Sequence, residues 1–502
     1  MIRDTAKLKE AHYDLIIVGG GINGAATANL AAGCGIQAAL FEKGDFASGT
    51  SSKSTKLIHG GLRYLENLEF DLVSEALRER SIQLKAAPHL VKPLRFIVPV
   101  YKDDRRPLWM MKLGVWLYDF LSGRHRVGQH ASLSAAEIQK KAPLIKSEQL
   151  LGGVSYFDAQ MDDARLCLEN ILSAGENGAH VYNYMEVVSF IKEMGRVAGV
   201  KVRDNIDGKM YNVYAKKIIC CGGPWSNELM SMETPSVQTR VRPTKGVHIV
   251  YDQVFCDDAL LITSKADNRI FFIIPWLGHS LVGTTDTDFS GSPDEVFCEE
   301  ADIEYLFTEA KRVFPGVHFT REKIISTFAG LRPLAHQSGS PSAVSRKHVF
   351  YESYAGVVFV MGGKYTTYRS IAAECLRRVY GKNADVNEDR FHVFGGGVMP
   401  PAQELARKYD LSEQTVLYLQ GLYGSRTEDV LMPTASDPRL KEPLCDFSCA
   451  IAAQAVYAVK VEMAQTIEDV IDRRIPLVYQ GRNLIPVKEK IAPFLEELTG
   501  KN

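Results

Sequence analysis

The hydrophobic pattern near the N-terminal end of the chain predicts a strand, a helix and a second strand in succession. Residues 14–18 (DLIIV) form a short apolar run, and the glycine-rich stretch GGGING follows at 19–24. The small apolar residues ATANLAAGCG then predict a helix, and a second apolar run, IQAALFE at 36–42, ends on an acidic residue. Short apolar runs on either side of a glycine-rich turn and a helix are typical of a βαβ unit in a parallel sheet.

Two other patterns mark the rest of the chain. Strand-like alternation in RIFFIIPW (269–276) and HSLVGTTD (279–286) predicts an antiparallel sheet with one buried face. After HVFGGGVMPP (392–401) the apolar residues recur at helical spacing. The predicted fold class is therefore α/β, with a Rossmann-like dinucleotide-binding domain, an α+β substrate domain built on an inserted antiparallel sheet, and a C-terminal helical cap.

These patterns also predict where the domains begin and end. The dinucleotide-binding domain is expected to be discontinuous, and the substrate domain is expected to fill the intervals, so that a ligand lies between them. We predict a dinucleotide-binding domain at 10–95, 150–235 and 330–392, a substrate domain at 96–149 and 236–329, and a helical domain at 393–502.

Three glycines and one glutamate give the first βαβ unit its candidate chemistry. Gly19, Gly21 and Gly24 form a GxGxxG fingerprint between strand and helix, and Glu42 ends the next strand. Gly19 permits the tight turn, Gly21 lets a pyrophosphate approach the helix N-terminus, and Gly24 lets the helix pack on the strand. Glu42 can accept hydrogen bonds from ribose hydroxyls. A glycine-rich turn without a ligand is the alternative, and the strand–turn–helix context argues against it.

Composition and charge narrow the function classes. The 502 residues are 46% hydrophobic and 24% charged, which is typical of a globular chain of two or three domains. Lys plus Arg (59) nearly equals Asp plus Glu (60), so we predict no nucleic-acid partner, and any anion site must be a local cluster. The nine cysteines include no CxxC pair and fit a reducing compartment. We predict neither a secretion signal, nor a membrane-spanning segment, nor a metal site.

The segment after Glu42 favours one dinucleotide over another. An NAD-binding domain typically continues with regular βα repeats, whereas residues 43–63 read KGDFASGTSSKSTKLIHGGLR. A long stretch rich in hydroxyl and amide groups suits a long, polar cofactor that stays bound. The sequence therefore favours FAD.

Nine short blocks along the chain resemble one family of flavoproteins. The blocks are GGGINGA (19–25), TSSKSTKLIHGGLRYLE (50–66), MDDARL (161–166), GGPW (222–225), KGVHIV (245–250), IIPW (273–276), VGTTD (282–286), GLRPL (330–334) and GGKYTTYR (362–369). In content and order they are similar to the FAD-dependent glycerol-3-phosphate dehydrogenases, within the wider class of D-amino-acid-oxidase-like flavoproteins. The resemblance implies oxidation of sn-glycerol 3-phosphate to dihydroxyacetone phosphate, with hydride transfer to FAD and electrons passed to ubiquinone or menaquinone.

The resemblance also implies roles for individual residues. Arg332 and Lys364 match phosphate-binding positions, and Arg63 and Tyr64 match positions near the substrate. Thr366 begins a helix whose N-terminus is expected to face the flavin pyrimidine carbonyl. Val187 matches an adenine contact by pattern alone. Beside the fingerprint, the implied FAD contacts are Thr50, Ser51, Ser52, Leu57, His59, Gly61, Val187, Gly223, Gly363, Lys364 and Thr366.

His248 is the candidate general base. Strand alternation in TKGVHIV puts Gly246 on the same face as His248, which predicts room for a ring or a substrate beside the imidazole. A histidine that titrates near neutral pH suits proton removal. The strand pattern alone favours a core or surface histidine, the family resemblance favours the base, and Arg63 is a rival for contact with the C2 hydroxyl. The predicted catalytic set is His248, Arg63 and Arg332.

Residues 108–121, LWMMKLGVWLYDFL, form an apolar stretch too short to cross a membrane. Trp109 and Trp116 are seven residues apart and so share a helical face, and arginines flank the stretch on both sides. A buried helix and an interfacial helix are both consistent with this pattern. The family resemblance implies peripheral binding to the cytoplasmic face of the membrane, and it also admits a homodimer.

Three alternative functions remain open at this point. An oxidase of the same family would pass its electrons to oxygen and release hydrogen peroxide. An amine or amino-acid oxidase would need a carboxylate site rather than the combination of Arg332, Lys364 and Arg63. A flavin-holding protein without turnover would leave these residues and His248 without a role.

Overall fold

The computed structural model describes residues 3–8, 12–236, 238–265, 267–335, 347–381 and 384–499. In chain order its strands are β1 (His12–Val18), β2 (Ala38–Phe41), β3 (Leu57–Ile58), β4 (Val91–Tyr101), β5 (Ala131–Leu133), β6 (Leu150–Met161), β7 (His180–Tyr182), β8 (Met185–Glu193), β9 (Arg196–Asp204), β10 (Met210–Cys220), β11 (Val241–Tyr251), β12 (Ala259–Thr263), β13 (Ile270–Trp276), β14 (His279–Gly283), β15 (Thr287–Asp288), β16 (Ile324–Ala335), β17 (Val349–Glu352) and β18 (Val357–Met361). Its helices are α1 (Ile22–Gly33), α2 (Phe70–Ala86), α3 (Leu108–Ser122), α4 (Ala135–Lys141), α5 (Asp163–Glu176), α6 (Ser226–Glu233), α7 (Glu300–Val313), α8 (Tyr368–Tyr380), α9 (Ala402–Tyr409), α10 (Glu413–Tyr423), α11 (Thr427–Leu431), α12 (Ala452–Lys460), α13 (Ile467–Asp469) and α14 (Ile485–Thr499).

The predicted βαβ unit lies at the centre of the first sheet. Among the described residues this sheet runs β17-β18-β10-β1-β2-β7, with β8 and β9 continuing from β10. β1 pairs in parallel with both β2 and β10. Because parallel strands are covered on both faces, the central residues Leu15, Ile16 and Ile17 are fully buried, which explains the unbroken apolar run. The architecture confirms the predicted α/β class.

The second sheet is largely antiparallel, as the alternating sequence pattern predicts. It runs β15-β11-β14-β13-β12-β4-β6-β3 in the described part of the chain, with β16 paired to β11 and β5 paired to β6. β11 is central to the site, because it pairs with β14 through His248↔Gly283 and with β16 through Thr244↔Arg332. The strand β6 belongs to this sheet, and the domain boundaries given above stay a prediction.

The C-terminal helices α9 to α14 pack around a hydrophobic core of their own. Buried ion pairs join the C-terminal part to α5 and to the loop after β2. Arg165 Nη1 lies 2.6 Å from Glu462 Oε1, and Arg473 Nε lies 2.7 Å from Asp45 Oδ2. Burial alone would raise the pKa of Asp45, but the charges of Arg474 and Arg473 lower it to about 2. Asp45 therefore stays ionised and holds the C-terminal part to the loop after β2.

The helix α3 turns an apolar face outward. Trp109, Leu113, Trp116 and Phe120 are spaced four, three and four residues apart, and their relative exposures are 64%, 54%, 52% and 67%. The opposite face carries buried Val115 and other buried residues. None of the described helices is both long enough and apolar enough to span a bilayer.

Candidate active site

A cavity of about 1010 Å³ collects most of the predicted site residues from both sheets. Its size is at the upper end of the roughly 300–1,000 Å³ typical of small-molecule sites, so it suits a large cofactor together with a substrate. The predicted positions that line it are Gly19, Gly21, Glu42, Thr50, Ser51, Leu57, His59, Gly61, Tyr64, Val187, Gly223, His248, Arg332, Gly363, Lys364 and Thr366. The side chain of Arg63 lies outside the described part of the structure.

Two glycines of the fingerprint, Gly19 and Gly21, line the cavity. Gly19 has φ +105°, and a Cβ there would come within 2.5 Å of the Cys221 carbonyl oxygen. Gly21 is the N-cap of α1 and supplies no capping side chain, so the helix terminus is open to a ligand. Gly24 does not line the cavity, and a Cβ there would collide with the Gly19 carbonyl. Its role is the close packing of helix and strand.

Two backbone amides hold the carboxylate of Glu42. Gly20 N–H donates to Oε2 at 2.7 Å, and Gly44 N–H donates to Oε1 at 2.9 Å. Burial raises the pKa of Glu42, although the two amide hydrogen bonds oppose the rise. The carboxylate is thus fixed in orientation at the end of β2, where a ribose would need an acceptor.

The segment after β2 braces the helix terminus and reaches across to the second sheet. Ile22 N–H donates to Ser51 Oγ at 2.8 Å, and Thr50 Oγ1 donates to the Leu331 carbonyl at 2.6 Å. Ser52 is buried behind the cavity wall, where its carbonyl accepts from Lys56 Nζ at 2.8 Å. The hydroxyls of this segment serve partly to hold the protein's own backbone.

The glycine pair at 60 and 61 places Tyr64 at the cavity. Gly60 N–H donates to Tyr118 Oη at 2.9 Å, and a Cβ on Gly60 would collide with that hydroxyl. Gly61 has φ +79° and lies directly under the Tyr64 ring. Lys364 Nζ lies 3.6 Å from the centroid of the same ring, a cation–π contact that brings two predicted substrate residues together.

Thr366 ties the 50–66 segment to the beginning of α8. His59 N–H donates to Thr366 Oγ1 at 3.1 Å, and Thr366 Oγ1 lies 3.2 Å from the His59 carbonyl. The Gly363 φ of +90° shapes the turn between β18 and these residues. Two segments that are about 300 residues apart in sequence thereby form one wall of the cavity.

His248 is buried on β11, with a relative exposure of 2%. Its Nε2 lies 3.0 Å from Thr55 Oγ1, and its ring stacks on Phe328 with centroids 4.9 Å apart. Among the described residues, Nδ1 has no hydrogen-bond partner. A Cβ on Gly283, which is paired with His248, would collide with the imidazole, so the glycine creates the space for the ring.

The space over Gly246 is filled by the guanidinium of Arg332. A Cβ on Gly246 would collide with the Arg332 guanidinium group. Arg332 Nη1 donates to Asp286 Oδ1 at 3.0 Å, and Nη2 donates to Thr284 Oγ1 at 2.9 Å. The room that strand alternation predicts beside His248 therefore exists, and a cation occupies it rather than a ring.

We expect His248 to remain neutral at pH values where an ordinary histidine is half protonated. Burial lowers its pKa well below 6.5, and the positive charges of Arg332 and Lys56 lower it further, since each disfavours the imidazolium form. In an NMR titration of histidine-labelled protein, the resonance that is missing from a His248→Gln variant should titrate below pH 6.5. A midpoint at or above that value would show that the burial seen here does not govern the ring.

Several contacts have no counterpart in the sequence-based prediction. Thr55 contacts His248, and Thr284 and Asp286 contact Arg332. The only sequence signal for the last two is their place in the VGTTD block, where polar residues directly follow an apolar strand. Tyr479, from the C-terminal part, lies 5.6 Å from Phe328 and 5.0 Å from Trp276 between ring centroids. No local sequence signal indicates that Tyr479 belongs near the site.

Comparisons with known proteins agree with this geometry. The family described as FAD dependent oxidoreductase matches residues 14–369, and the family described as the C-terminal domain of alpha-glycerophosphate oxidase matches residues 389–501. The fold and the glycine-lined cavity thus define an FAD-dependent oxidoreductase, and FAD is its cofactor. The residues present fit that group: a helix N-terminus whose N-cap residue, Gly21, has no side chain, a fixed carboxylate at the end of β2 and a cavity of sufficient volume.

Individual relatives specify the family further. A glycerol-3-phosphate dehydrogenase of Synechocystis sp. is 39% identical over 94% of this chain and 90% of its own length. An aerobic glycerol-3-phosphate dehydrogenase of Bacillus subtilis is 34% identical over 97% and 91%. The structure of the glycerol-3-phosphate dehydrogenase from Bacillus halodurans complexed with FAD matches with a TM-score of 0.82 and 29% identity, covering 98% of this chain and 92% of that one. The chain belongs to the FAD-dependent glycerol-3-phosphate dehydrogenase family.

Replacing Glu42 by alanine is expected to weaken FAD retention. Hydrogen bonds to a charged acceptor contribute about 1.5–3 kcal/mol, which corresponds to a roughly ten- to hundredfold larger Kd for FAD. The amount of flavin that remains after dialysis, followed by visible absorbance, measures the effect. Glu428→Ala, which changes a more exposed carboxylate outside the cavity, paired with Lys408 (2.6 Å), is the matched control. Equal flavin retention in both variants and in the unmodified protein would rule out the ribose role.

Proposed function

We propose that this protein oxidises sn-glycerol 3-phosphate to dihydroxyacetone phosphate and passes the electrons to a membrane quinone, ubiquinone or menaquinone. The observation that carries the proposal is the Arg332 guanidinium lying over Gly246, two residues from the buried imidazole of His248, in the cavity that holds the FAD fingerprint. A neutral base beside a fixed cation suits a substrate that has both a hydroxyl to deprotonate and a phosphate to bind. The names of the curated relatives support the same substrate.

His248 is the proposed general base. Its low pKa keeps the imidazole neutral, so the ring has a lone pair available at physiological pH. We assign proton acceptance from the C2 hydroxyl to this imidazole, whose Nε2 lies 3.0 Å from Thr55 Oγ1. FAD, when bound, supplies the acceptor for the hydride that leaves C2. Thr55 fixes the plane of the ring and hence the direction of the lone pair.

Arg332 and Lys364 are the proposed phosphate ligands. The guanidinium is already oriented by Asp286 and Thr284, so little side-chain entropy is lost when a phosphate binds. Lys364 also lines the cavity, where it lies against the Tyr64 ring, and it adds a second positive charge. Arg63 stays a predicted contact of the substrate, next to Tyr64 in sequence.

An anaerobic titration with glycerol 3-phosphate tests the proposed reaction. Bleaching of the visible flavin absorbance by the substrate, followed by rapid recovery with a short-chain quinone and slow recovery with oxygen, is the expected result. Rapid recovery with oxygen and steady peroxide release would favour the oxidase alternative instead. If glycerol 3-phosphate fails to bleach the flavin while dithionite succeeds, the proposed substrate is wrong.

The outward face of α3 supports the membrane part of the proposal. Trp109, Leu113, Trp116 and Phe120 form a continuous apolar stripe, and Trp116 stacks on Phe120 with centroids 5.8 Å apart. Arg105 and Arg124 lie just beyond the two ends of the helix. Aromatic residues on one face with basic residues at the ends suit a helix that lies in the plane of an anionic membrane surface. We therefore propose peripheral binding to the cytoplasmic face through α3; a homodimer stays a prediction.

The double substitution Trp109→Ser with Trp116→Ser is expected to reduce membrane binding. Each indole removed from the lipid interface forfeits about 2 kcal/mol of apolar burial, so the partition coefficient into anionic vesicles should fall at least tenfold. Co-sedimentation with vesicles measures binding, and turnover with a water-soluble quinone should remain unchanged. Leu417→Ser, at a 54% exposed apolar residue of α10, is the matched control. Equal sedimentation of the two variants would remove α3 from the proposal.

A further inference from the structure

A short loop in the C-terminal part brings two cysteines opposite each other. Pro443 and Ile451 form an antiparallel bridge. Ala452 N–H donates to the Glu442 carbonyl at 3.0 Å, and Leu444 N–H donates to the Ala450 carbonyl at 2.8 Å. In each of these three pairings the two residue numbers add up to the same value, so the pairings belong to one antiparallel register. The next pair in that register is Cys445 and Cys449, separated by a three-residue turn.

The register sets the distance between the two residues. Directly opposed residues of an antiparallel pair have Cα atoms about 4.5–5.5 Å apart, and disulfides form between Cα atoms about 4.4–6.8 Å apart. We propose that Cys445 and Cys449 form a reversible dithiol–disulfide site that reacts with low-molecular-weight disulfides. This site lies outside the FAD cavity and is independent of the function proposed above.

The surroundings of the pair allow a small reagent to reach it. Both cysteines are half-buried and line a separate cavity of about 590 Å³, together with Lys441 and Ser412. Burial raises the pKa of the Cys445 thiol, and the backbone amides of Phe447 and Ser448 oppose that rise. By contrast, Cys167, Cys220 and Cys375 have 0% relative exposure, so a reagent in solvent does not reach them.

The reaction is a pair of thiol–disulfide exchanges. One protein thiolate attacks a sulfur of glutathione disulfide, a new protein–glutathione S–S bond forms, and one glutathione thiolate leaves. The second protein thiolate then attacks the bonded protein sulfur and releases the second glutathione thiolate. The two protein thiols lose two electrons to the small disulfide, and their two protons end on the two glutathione thiols. Reversal needs excess glutathione alone.

The turn between the cysteines touches a segment that packs behind the FAD cavity. A Cβ on Gly481 would come within 2.5 Å of the Phe447 ring, so Phe447 packs directly on the Gly481 backbone. Two residues earlier, Tyr479 contacts Phe328, on which His248 stacks. The loop that carries the two cysteines therefore packs on the segment that lies behind His248.

Redox titration of the FAD-bound, full-length protein with glutathione tests the site. After equilibration at increasing ratios of glutathione disulfide to glutathione, free thiols are alkylated and the protein is digested with trypsin. The peptide 442–460 contains both cysteines and no others. We expect it to appear without alkyl groups and lighter by two hydrogens, at ratios where Cys34 and Cys298, two half-buried cysteines elsewhere, are still alkylated.

Two controls separate a built site from chance reactivity. Cys445→Ser should leave Cys449 as a mixed disulfide with glutathione, because the resolving thiol is gone. The synthetic peptide 442–460 lacks the bridge, so its equilibrium constant for oxidation should be at least about tenfold smaller, a difference of about 30 mV. An equal constant for peptide and protein, an intermolecular disulfide, or two mixed disulfides on one chain would each overturn the proposal.

Discussion

The His248→Gln variant is expected to bind FAD and glycerol 3-phosphate but to reduce its flavin roughly 10²–10⁴-fold more slowly than the unmodified protein. This range is typical of the contribution of a positioned general base. Glutamine keeps a polar group near Thr55 Oγ1 but has no lone pair of comparable basicity. The space created by Gly283 accommodates the smaller side chain, so the fold should be preserved. Stopped-flow measurement of flavin bleaching at saturating substrate, without oxygen, gives the rate directly.

A second histidine provides the control for this experiment. His180 lies on β7, where its Nδ1 is 2.8 Å from Tyr13 Oη, and it does not line the cavity. His180→Gln makes the same chemical change and should leave the bleaching rate unaltered. If His248→Gln bleaches as fast as this control, the base is another group.

The Arg332→Ala variant is expected to raise the KM for glycerol 3-phosphate by one to two orders of magnitude while FAD stays bound. A charge-assisted contact to a phosphate contributes about 1.5–3 kcal/mol, and each 1.4 kcal/mol is a factor of ten. Loss of the guanidinium also removes a positive charge that faces the Asp286 carboxylate, which lies close to the proposed site of a dianionic substrate. The full effect is therefore a lost attraction plus an added repulsion.

Two further variants resolve these contributions. In Arg332→Ala with Asp286→Asn, the repulsion is removed and only the lost contact remains, so the KM should fall part of the way back. Arg242→Ala removes a comparable ion pair on the neighbouring strand β11, since Arg242 Nε lies 2.6 Å from Asp288 Oδ1 outside the cavity. Its KM should match that of the unmodified protein. A KM for Arg332→Ala equal to that of Arg242→Ala would exclude the phosphate role.

The sequence predicts the glycine-rich part of the cavity well, because the residues that form it are close together in the sequence. Gly19, Gly21, Gly24 and Glu42 lie within 24 residues, and a strand, a turn and a helix of fixed geometry determine where they stand. The order of the family blocks likewise indicated that residues near positions 60, 248, 332 and 364 meet in one site. Most of these positions do line a common cavity.

The contacts between those blocks could not be predicted, because they depend on long-range strand pairing. Register along β11 with β14 and β16 places Gly283 beside His248 and Arg332 over Gly246. Alternation on one strand indicates which residues share a face, but it does not say which side chain of a neighbouring strand fills the space. For α3 the prediction from sequence is limited for a different reason. An apolar stripe on a helix has the same sequence pattern whether protein or a membrane covers it.

Tyr479 gives the molecule a property that follows from where its ring lies. Its hydroxyl is 3.4 Å from Lys53 Nζ, and its ring packs on Phe328 and Trp276, so the C-terminal part contributes directly to the packing behind His248. The two regions matched by separate families are therefore not interchangeable modules. A C-terminal part taken from another family member would need an aromatic ring that contacts the same residues. The two regions are therefore expected to evolve together.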